Sequence, residues 1–529
     1  MNEYHYSTSF LSSPLSSSPQ QTMASKPTFT PPKLQKRSLK GHQKPVLCLA
    51  HSSERLAYTS RPNSSNDNAT HPSLLLSGSE DGTSRLWDLR TNKTVYCMVL
   101  PKSEAGEVLE VTSVAFHPNI LDGSRDDGCM VEVNDGILDG SKDCTVNVSA
   151  SNQVYGYDLR YHAMPLTTQS KALPSPIIST PHIHLSNHFQ CTDEINQLSF
   201  SYPKHNEAKK EYFVSAACDS GKVHICQNVP YAHHVHNQQQ QANENVKLLR
   251  HAESELHAIV SCSVFRPRVN DLQIASCGMD CRVKLWDVKK PSMVQSKQES
   301  IHDGSIFWYV LYRKPLYSYS VKTLADLENS SQLCNPPFVH SLSWSPSGRY
   351  LAAGLGDGSC LILSAEGRKL IEACILGWSV GGHKASVAAV CFPCFGLAGN
   401  VSKKAAMNGT ADDRLLISAG NDGNIFFWDL GRDIVGNDAA DPAIYLSGNK
   451  INQVDSNVTS KLETLDLAES SDDIIPEDLL SSPPKVLFQI PHQKKANWIC
   501  AKAVDATSPC SLFVADTTNN ISMYSLILS

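Results

Sequence analysis

Three stretches of the chain repeat one pattern, and this repetition limits the possible folds more than any other feature. They read LLLSGSEDGTSRLWDL (74–89), QIASCGMDCRVKLWDV (273–288) and LLISAGNDGNIFFWDL (415–430). In each stretch a Ser stands four residues before an Asp, and that Asp stands six residues before a Trp. Internal similarity of this kind is typical of architectures built from equivalent structural units. The chain is therefore expected to fold as an array of such units.

The spacing within each stretch predicts a β-hairpin, because an apolar run, a turn at the Asp and a second alternating run follow one another. The Trp falls on the second strand, where its indole N–H needs an acceptor once it is buried. A His stands upstream of each stretch, and we expect Trp, Ser, His and Asp to form a relay of hydrogen bonds. The expected relays are His42, Ser77, Asp81 and Trp87; His251, Ser276, Asp280 and Trp286; and His383, Ser418, Asp422 and Trp428.

These features resemble the WD repeat, and four weaker copies bring the count of repeats to seven. We therefore predict an all-β fold, a seven-bladed WD-repeat β-propeller. The weaker copies are 110–160, with Tyr157 and Asp158 at the Trp-Asp positions; 194–228, with Ser215 and Asp219 and with Ile225 in place of Trp; 338–364, with Asp357; and 485–527, with His492, with Tyr524 at the Trp position and with Thr518 where Asp is expected.

A propeller must close on itself, because an open array of sheets would expose its edges. The last copy ends near Tyr524, so we assign Leu34–Leu39 as the outer strand that completes the last blade. The Ser-, Pro- and Thr-rich tail at 1–32 is expected to be disordered. The propeller is expected to span 33–529, with insertions at 120–144, 299–335 and 431–484. The insertion at 299–335 is rich in aromatic residues and is expected to pack down or to bind a partner.

Composition excludes several classes of function. A formal net charge of −6 over 529 residues argues against a general binder of nucleic acid or of anionic membranes. No apolar run reaches the roughly 18 residues that span a bilayer, and the N-terminal stretch lacks a secretory pattern. The 17 Cys residues lie largely in strand-like runs and are expected to be reduced thiols. A cytoplasmic or nuclear location is therefore expected.

Catalysis and metal binding are not predicted from the motifs. The relay contains the residue types of a hydrolytic triad, but it recurs in three repeats and the Trp uses the Ser hydroxyl. No Gly-rich phosphate loop and no metalloprotease helix motif is present in the sequence. Cys391 and Cys394 have finger-like spacing without a second pair at a suitable distance. We therefore expect no enzyme activity, no metal and no cofactor.

Stretches outside the hairpins resemble the WD repeat-containing protein 53 family. They are the opening GHQKPVLCL, the run SCSVFRPRVNDLQIASCGMD, the stretch NPPFVHSLS, and the ending KKANWICAKAV with SLFVADTTNNISMYSL. The resemblance extends from about Lys40 to Leu526, interrupted by the insertions. It implies a seven-bladed propeller and a candidate substrate receptor for cullin-4 RING ubiquitin ligases.

Receptors of this class often carry a Trp-Asp-x-Arg box that meets the β-propeller adaptor of the ligase. The chain has Trp-Asp-Leu-Arg at 87–90 and Tyr-Asp-Leu-Arg at 157–160. The resemblance therefore implies that Asp88, Arg90, Asp158 and Arg160 bind the adaptor from one rim, although an Asp in this position also commonly ties down its own turn. We expect a non-enzymatic scaffold that acts as a monomer within a complex. The alternative is a scaffold or a peptide reader in an unrelated complex.

Overall fold

The computed structural model describes most of the predicted repeats and leaves the long connections out. The tail at 1–32 and most of the insertions predicted at 120–144 and 431–484 lie outside the described residues, as do Arg90 and Arg160. The described ranges are 33–51, 74–89, 91–116, 131–132, 137–138, 145–159, 177–178, 183–184, 191–201, 213–227, 246–251, 259–269, 272–288, 295–298, 309–312, 314–321, 336–377, 381–393, 413–436, 483–502 and 510–527.

Blades 1 to 3 form antiparallel meanders that run from the inside of the ring outwards. The first strand of the chain, β1 (Lys33–Lys40), belongs to the last blade. Blade 1 contains β2 (Val46–His51), β3 (Leu74–Ser79), β4 (Thr83–Asp88) and β5 (Lys93–Val99). Blade 2 contains β6 (Ser113–Phe116), then, after the separate pair β7 (Val131–Glu132) and β8 (Ile137–Leu138), strands β9 (Thr145–Ala150) and β10 (Gln153–Asp158). Strand β11 (Ile177–Ile178) joins β5, and β12 (Ile183–His184) completes blade 2. Blade 3 contains β13 (Ile195–Phe200), β14 (Phe213–Cys218), β15 (Lys222–Gln227) and β16 (Val246–Arg250).

Blades 4 to 7 follow the same plan. Blade 4 contains β17 (Val260–Phe265), β18 (Gln273–Gly278), β19 (Arg282–Asp287) and, after the separate pair β20 (Gln295–Gln298) and β21 (Tyr309–Tyr312), strand β22 (Tyr317–Ser320). Blade 5 contains β23 (Val339–Trp344), β24 (Tyr350–Leu355), β25 (Cys360–Glu366) and β26 (Lys369–Leu376). Blade 6 contains β27 (Val387–Cys391), β28 (Leu415–Gly420), β29 (Asn424–Asp429) and, after the short helix α1 (Arg432–Val435), strand β30 (Lys485–Pro491). Blade 7 contains β31 (Ala496–Lys502), β32 (Cys510–Asp516) and β33 (Asn520–Ile527).

The second strand of each blade shows why these sequences form a propeller. Strands β3, β14, β18, β24 and β28 read LLLSGS, FVSAAC, QIASCG, YLAAGL and LLISAG, and all of their residues are buried. A strand packed on both faces needs an apolar residue or a small one at every position. Neighbouring blades supply those two faces, so each sheet is stable only within the ring.

The innermost strands form the ring around a central channel. Each of them contacts the innermost strand of the next blade, and β31 contacts β2, so the seven blades close a circle. They enclose a cavity of about 190 Å³, with His51, Gln197, Ser341 and Ser343 among its polar lining residues. The predicted seven-bladed propeller is confirmed.

The two ends of the described chain meet in blade 7. Strand β1 pairs antiparallel with β33 along its whole length, from Lys33 opposite Ile527 to Lys40 opposite Asn520. This pairing gives the last blade its fourth strand and covers an edge that would otherwise be open. The assignment of an N-terminal closing strand is confirmed.

One predicted boundary is wrong. Part of the stretch 299–335, expected to be an insertion, is the outer strand of blade 4, because Tyr317 to Ser320 pair with Leu285 to Arg282 of β19. Tyr317 and Tyr319 alternate with exposed Ser residues on that strand and are half-buried at the edge of the blade. Among the described residues, no helix has the length and apolar character to cross a bilayer.

Candidate functional site

The relay of blade 1 joins the loop that enters the blade to its central hairpin. The indole N–H of Trp87 donates to Ser77 Oγ over 2.9 Å, and that hydroxyl lies 2.8 Å from Nε2 of His42. The other ring nitrogen of His42 lies 3.3 Å from Asp81 Oδ2. Asp81 also accepts the backbone N–H of Gln43, over 2.7 Å, in the entering loop. The structure thus brings together all four side chains of this predicted relay.

The same arrangement recurs in blade 6. Trp428 donates to Ser418 over 2.8 Å, and the Ser hydroxyl lies 2.8 Å from Nε2 of His383. Nδ1 of His383 lies 3.0 Å from Asp422, which also accepts the backbone N–H of Lys384.

Blade 4 keeps the relay with the imidazole turned over. Trp286 donates to Ser276 over 2.8 Å, Nδ1 of His251 lies 2.7 Å from that hydroxyl, and Nε2 lies 3.0 Å from Asp280. Ser77, Ser276 and Ser418 are all fully buried. Because each hydroxyl is enclosed and already accepts an indole N–H, the relay stabilises the blade and offers no open nucleophile.

The charge state of the relay follows from its burial. Burial lowers the pKa of His42 and of His251 below the ordinary value, so both imidazoles are neutral at neutral pH. Burial alone would raise the pKa of Asp422, but its interactions with His383, with the backbone N–H of Lys384 and with Asn424 together outweigh burial and bring the pKa to about 2. The neutral imidazoles of His42 and His251 can therefore each accept from the Ser and donate to the Asp of the same relay.

Blade 3 corrects the alignment drawn from the sequence. In the sequence, Ser215 and Asp219 keep the spacing of the repeat, but Gly221, at a φ of 76°, sets the turn one residue later than that spacing requires. Ser215 Oγ lies 3.0 Å from Ser263 of the next blade, and Asp219 accepts from the side chain of Asn196. Ser215 and Asp219 therefore form no relay in blade 3, although their spacing matches that of the relay residues.

Blade 7 builds the relay from different residue types. His492 Nδ1 lies 2.7 Å from the phenolic oxygen of Tyr524, and its Nε2 lies 3.0 Å from Asp516 Oδ2. Thr518 does stand at the Asp position of the turn, as expected, but it donates its backbone N–H to Asp516. The sequence prediction missed Asp516 because this acid lies two residues before the expected position.

The two Asp-x-Arg boxes follow the third strands of neighbouring blades. Strands β4 and β10 end at Asp88 and Asp158, away from the turns that lead into these strands. Asp88 and Asp158 therefore lie on the face opposite the relay turns, which we call the box face. Arg90, Arg160 and the side chain of Asp158 lie outside the described residues.

Asp88 itself holds the turn that follows β4. Its side chain is only 3% exposed, and Thr91 Oγ1 donates to Asp88 Oδ2 over 3.0 Å. The equivalent Asp287 and Asp429 of blades 4 and 6 are buried as well. A buried carboxylate at this position stabilises the local turn, so Asp88 does not offer a surface for direct contact with a partner.

Comparison with known proteins agrees with this architecture. The family model "WD domain, G-beta repeat" matches residues 33–88 and 254–287, and the model of the anaphase-promoting complex subunit 4 WD40 domain matches residues 329–381. Seven blades, three complete relays and these matches define the chain as a WD-repeat β-propeller protein, a class that typically serves as a non-enzymatic scaffold for protein interactions.

Within that class, the chain is similar to the WD repeat-containing protein 53 homolog of Dictyostelium discoideum. The two are 25% identical over 398 residues, which cover 74% of this chain and 77% of the relative. The resemblance to the WD repeat-containing protein 53 family is confirmed.

Proposed function

We propose that the chain is a substrate receptor of a cullin-4 RING ubiquitin ligase and that blades 1 and 2 bind the β-propeller adaptor of the ligase. The observation that carries the proposal is that the third strands of two adjacent blades, β4 and β10, end at Asp88 and Asp158, each inside an Asp-x-Arg sequence. A second partner, the client, would occupy another surface.

The other relay blades lack a complete box. Blade 4 has Lys289 at the position of Arg90, and blade 6 has Gly431 there. Only Arg offers a planar fork of donors that can make several charge-assisted hydrogen bonds at a desolvated interface. Because both boxes keep Arg and belong to neighbouring blades, they favour a single shared binding surface over two turns with only local structural roles.

The backbone on both sides of position 90 is anchored. Leu89 is 8% exposed and packs in the core, and Thr91 is hydrogen-bonded to Asp88. In blade 2 the corresponding Leu159 is 3% exposed. In this proposal the Asp residues and the Leu residues shape the turns, and Arg90 and Arg160 supply the contacts. A pre-shaped turn reduces the entropy lost on binding.

The chain also connects blades 1 and 2 at their outer edges. After the second box it adds β11 to the edge of blade 1, where Ile177 and Ile178 pair in parallel with Cys97 and Met98, and then β12 to the edge of blade 2. This crossing connection restrains the two blades relative to each other. A partner that contacts both boxes would therefore meet a fixed spacing.

The test is capture of the purified adaptor by the full chain and by Arg90→Ala, Arg160→Ala and the double variant. Loss of a central interface Arg typically costs about 2 kcal/mol, roughly thirtyfold in affinity. Arg90→Ala is expected to weaken capture more than Arg160→Ala, because its box keeps Trp87 and the full relay. Melting curves of each variant should stay close to that of the unchanged chain.

Lys289→Ala is the matched control, since it changes a cation at the same position of blade 4 and should leave capture unaltered. If the folded double variant captures as much adaptor as the unchanged chain, this proposal fails. The chain would then be a scaffold of an unrelated complex. The proposed role also requires the protein to reside in the cytoplasm or the nucleus.

A further inference from the structure

Blade 3 places three metal-binding residue types where the relay lies in other blades. Cys191 stands four residues before the start of β13, just as His42 stands four residues before β2 and His383 four before β27. Cys218 ends β14, and His224 lies on β15 of the same hairpin. The three residues thus come from the loop that enters the blade and from its central hairpin.

The geometry of the three side chains suits a single ion. One ligand atom from each of Cys191, Cys218 and His224 lies within 4.8 Å of the other two, and all three residues are buried. Both cysteines are unoxidised thiols. Two sulfurs and one imidazole nitrogen at this separation can converge on a tetrahedral cation, with one position left for water or another ligand.

His224 gives an independent indication of a missing ligand. The residue is 4% exposed, and neither of its ring nitrogens makes a well-formed hydrogen bond among the described residues, although the imidazole interacts with the Cys218 sulfur. Buried polar groups in native proteins are nearly always satisfied. A disulfide between the two cysteines would leave this imidazole unsatisfied, whereas a metal ion would bind one of its nitrogens.

We propose that Cys191, Cys218 and His224 bind a Zn²⁺ ion. Two thiolates and an imidazole form a donor set that binds Zn²⁺ in preference to hard cations such as Mg²⁺ and Ca²⁺. The ion fastens the entering loop of blade 3 to its hairpin, which is the role that the His, Ser and Asp relay has in blades 1, 4 and 6. A structural metal thus replaces a network of hydrogen bonds.

The hydrogen bonding of the cluster leaves its sulfurs able to bind a cation. The Cys218 thiol donates to the backbone oxygen of Asp193 over 3.2 Å. A thiol must lose its proton to bind a metal, so binding of Zn²⁺ replaces this contact and releases the thiol protons of Cys191 and Cys218 to solvent.

The test is metal binding by the full chain, purified without metal under reducing conditions and titrated with Zn²⁺ or with Co²⁺ as a coloured probe. We expect one tightly bound equivalent, a thiolate-to-cobalt charge-transfer band, and a rise in melting temperature on adding Zn²⁺. Cys218→Ser and His224→Phe should each weaken Zn²⁺ binding by at least about tenfold. Cys374→Ser, a partly buried thiol of blade 5, is the control that should retain full binding.

A variant of blade 3 could fail to fold, so X-ray absorption of the zinc-loaded unchanged chain provides a second readout. Two sulfur ligands and at least one imidazole nitrogen support the site; a shell of oxygen and nitrogen alone overturns it. The sequence also contains His233, His234 and His236, three closely spaced imidazoles that are the competing candidates for adventitious metal binding. If replacing those three with Ala abolishes binding, or if folded Cys218→Ser binds Zn²⁺ as tightly as the unchanged chain, the proposal is wrong.

Discussion

The phenolic oxygen of Tyr524 lies 2.7 Å from Nδ1 of His492. One side chain thereby does in blade 7 what a Trp and a Ser do together in blades 1, 4 and 6. The phenol reaches the imidazole directly and can donate a hydrogen bond to it. The opposite ring nitrogen lies 3.0 Å from Asp516. The relay is therefore defined by its hydrogen-bond order, from an aromatic donor through an imidazole to a carboxylate, and several residue types can satisfy it.

Removing the Tyr524 hydroxyl should destabilise blade 7. Tyr524→Phe leaves Nδ1 of the buried His492 without its donor, and an unsatisfied buried polar atom costs about 1–3 kcal/mol. Chemical denaturation should show that loss. Tyr155→Phe is the control, because its hydroxyl bonds the partly buried Gln153 side chain, which water can reach. Equal losses in the two variants would contradict the importance assigned to the His492 contact.

The relay acids should differ in their contributions to stability. Asp81→Ala, Asp280→Ala and Asp422→Ala each remove a carboxylate from a buried imidazole and should cost about 1–3 kcal/mol of unfolding free energy. Asp357→Ala should cost less, because Asp357 accepts hydrogen bonds only from its own turn, at Ser359, among the described contacts. Melting temperatures of the four variants provide the measurement. Equal shifts of melting temperature in all four variants would contradict the stabilising role that we assign to the relay.

Stability should fall as the pH drops below neutrality. Burial holds the pKa of His42 and of His251 below the value of an unfolded His, so the unfolded chain binds more protons. The stabilisation is fully present above about pH 6.5 and is lost as the pH falls from there towards the folded-state pKa values. Melting temperature should therefore decrease between about pH 7.5 and about pH 5.5. His251→Gln should flatten this dependence, and an unchanged slope would count against the assignment.

Closure of the ring should depend on β1 and not on the tail before it. Deletion of residues 1–32 should leave the melting temperature unchanged, since β1 begins at Lys33. Deletion of residues 1–40 removes the whole partner of β33 and leaves an open strand edge, which promotes aggregation. Size-exclusion chromatography of both truncated chains tests this. A monomeric, cooperatively melting chain that starts at residue 41 would disprove the role of β1.

The sequence was sufficient where a blade keeps its full hydrogen-bond set. The indole N–H of each relay Trp requires an acceptor at a fixed distance along the hairpin, as in Trp87, Trp286 and Trp428. The spacing of Ser and Trp therefore predicts the strand register and the stabilising role of the relay. The closing strand was also predictable, because the last repeat lacked an outer strand. These features follow from local rules that act over short spacings.

The rest depended on contacts that spacing does not encode. Blade 3 shifts by one residue because Gly221 sets its turn, and the sequence offered Ser215 and Asp219 at the familiar separation. Cys191 is distant in sequence from Cys218 and His224, so no recognised motif unites the cluster that the fold assembles. The outer strand of blade 4 carried no motif at all, since an edge strand such as Tyr317–Ser320 needs only alternation.

The antiparallel pairing of β1 with β33 has a consequence for biosynthesis. The ribosome makes β1 before its partner β33, which emerges only after strands β2 to β32 have been made, and such distant pairing is slow and entropically costly. During synthesis β1 therefore stays unpaired, and the blades that have already formed keep an uncovered sheet edge. Any product that stops before β33 keeps that edge open and is expected to aggregate more readily than the closed ring.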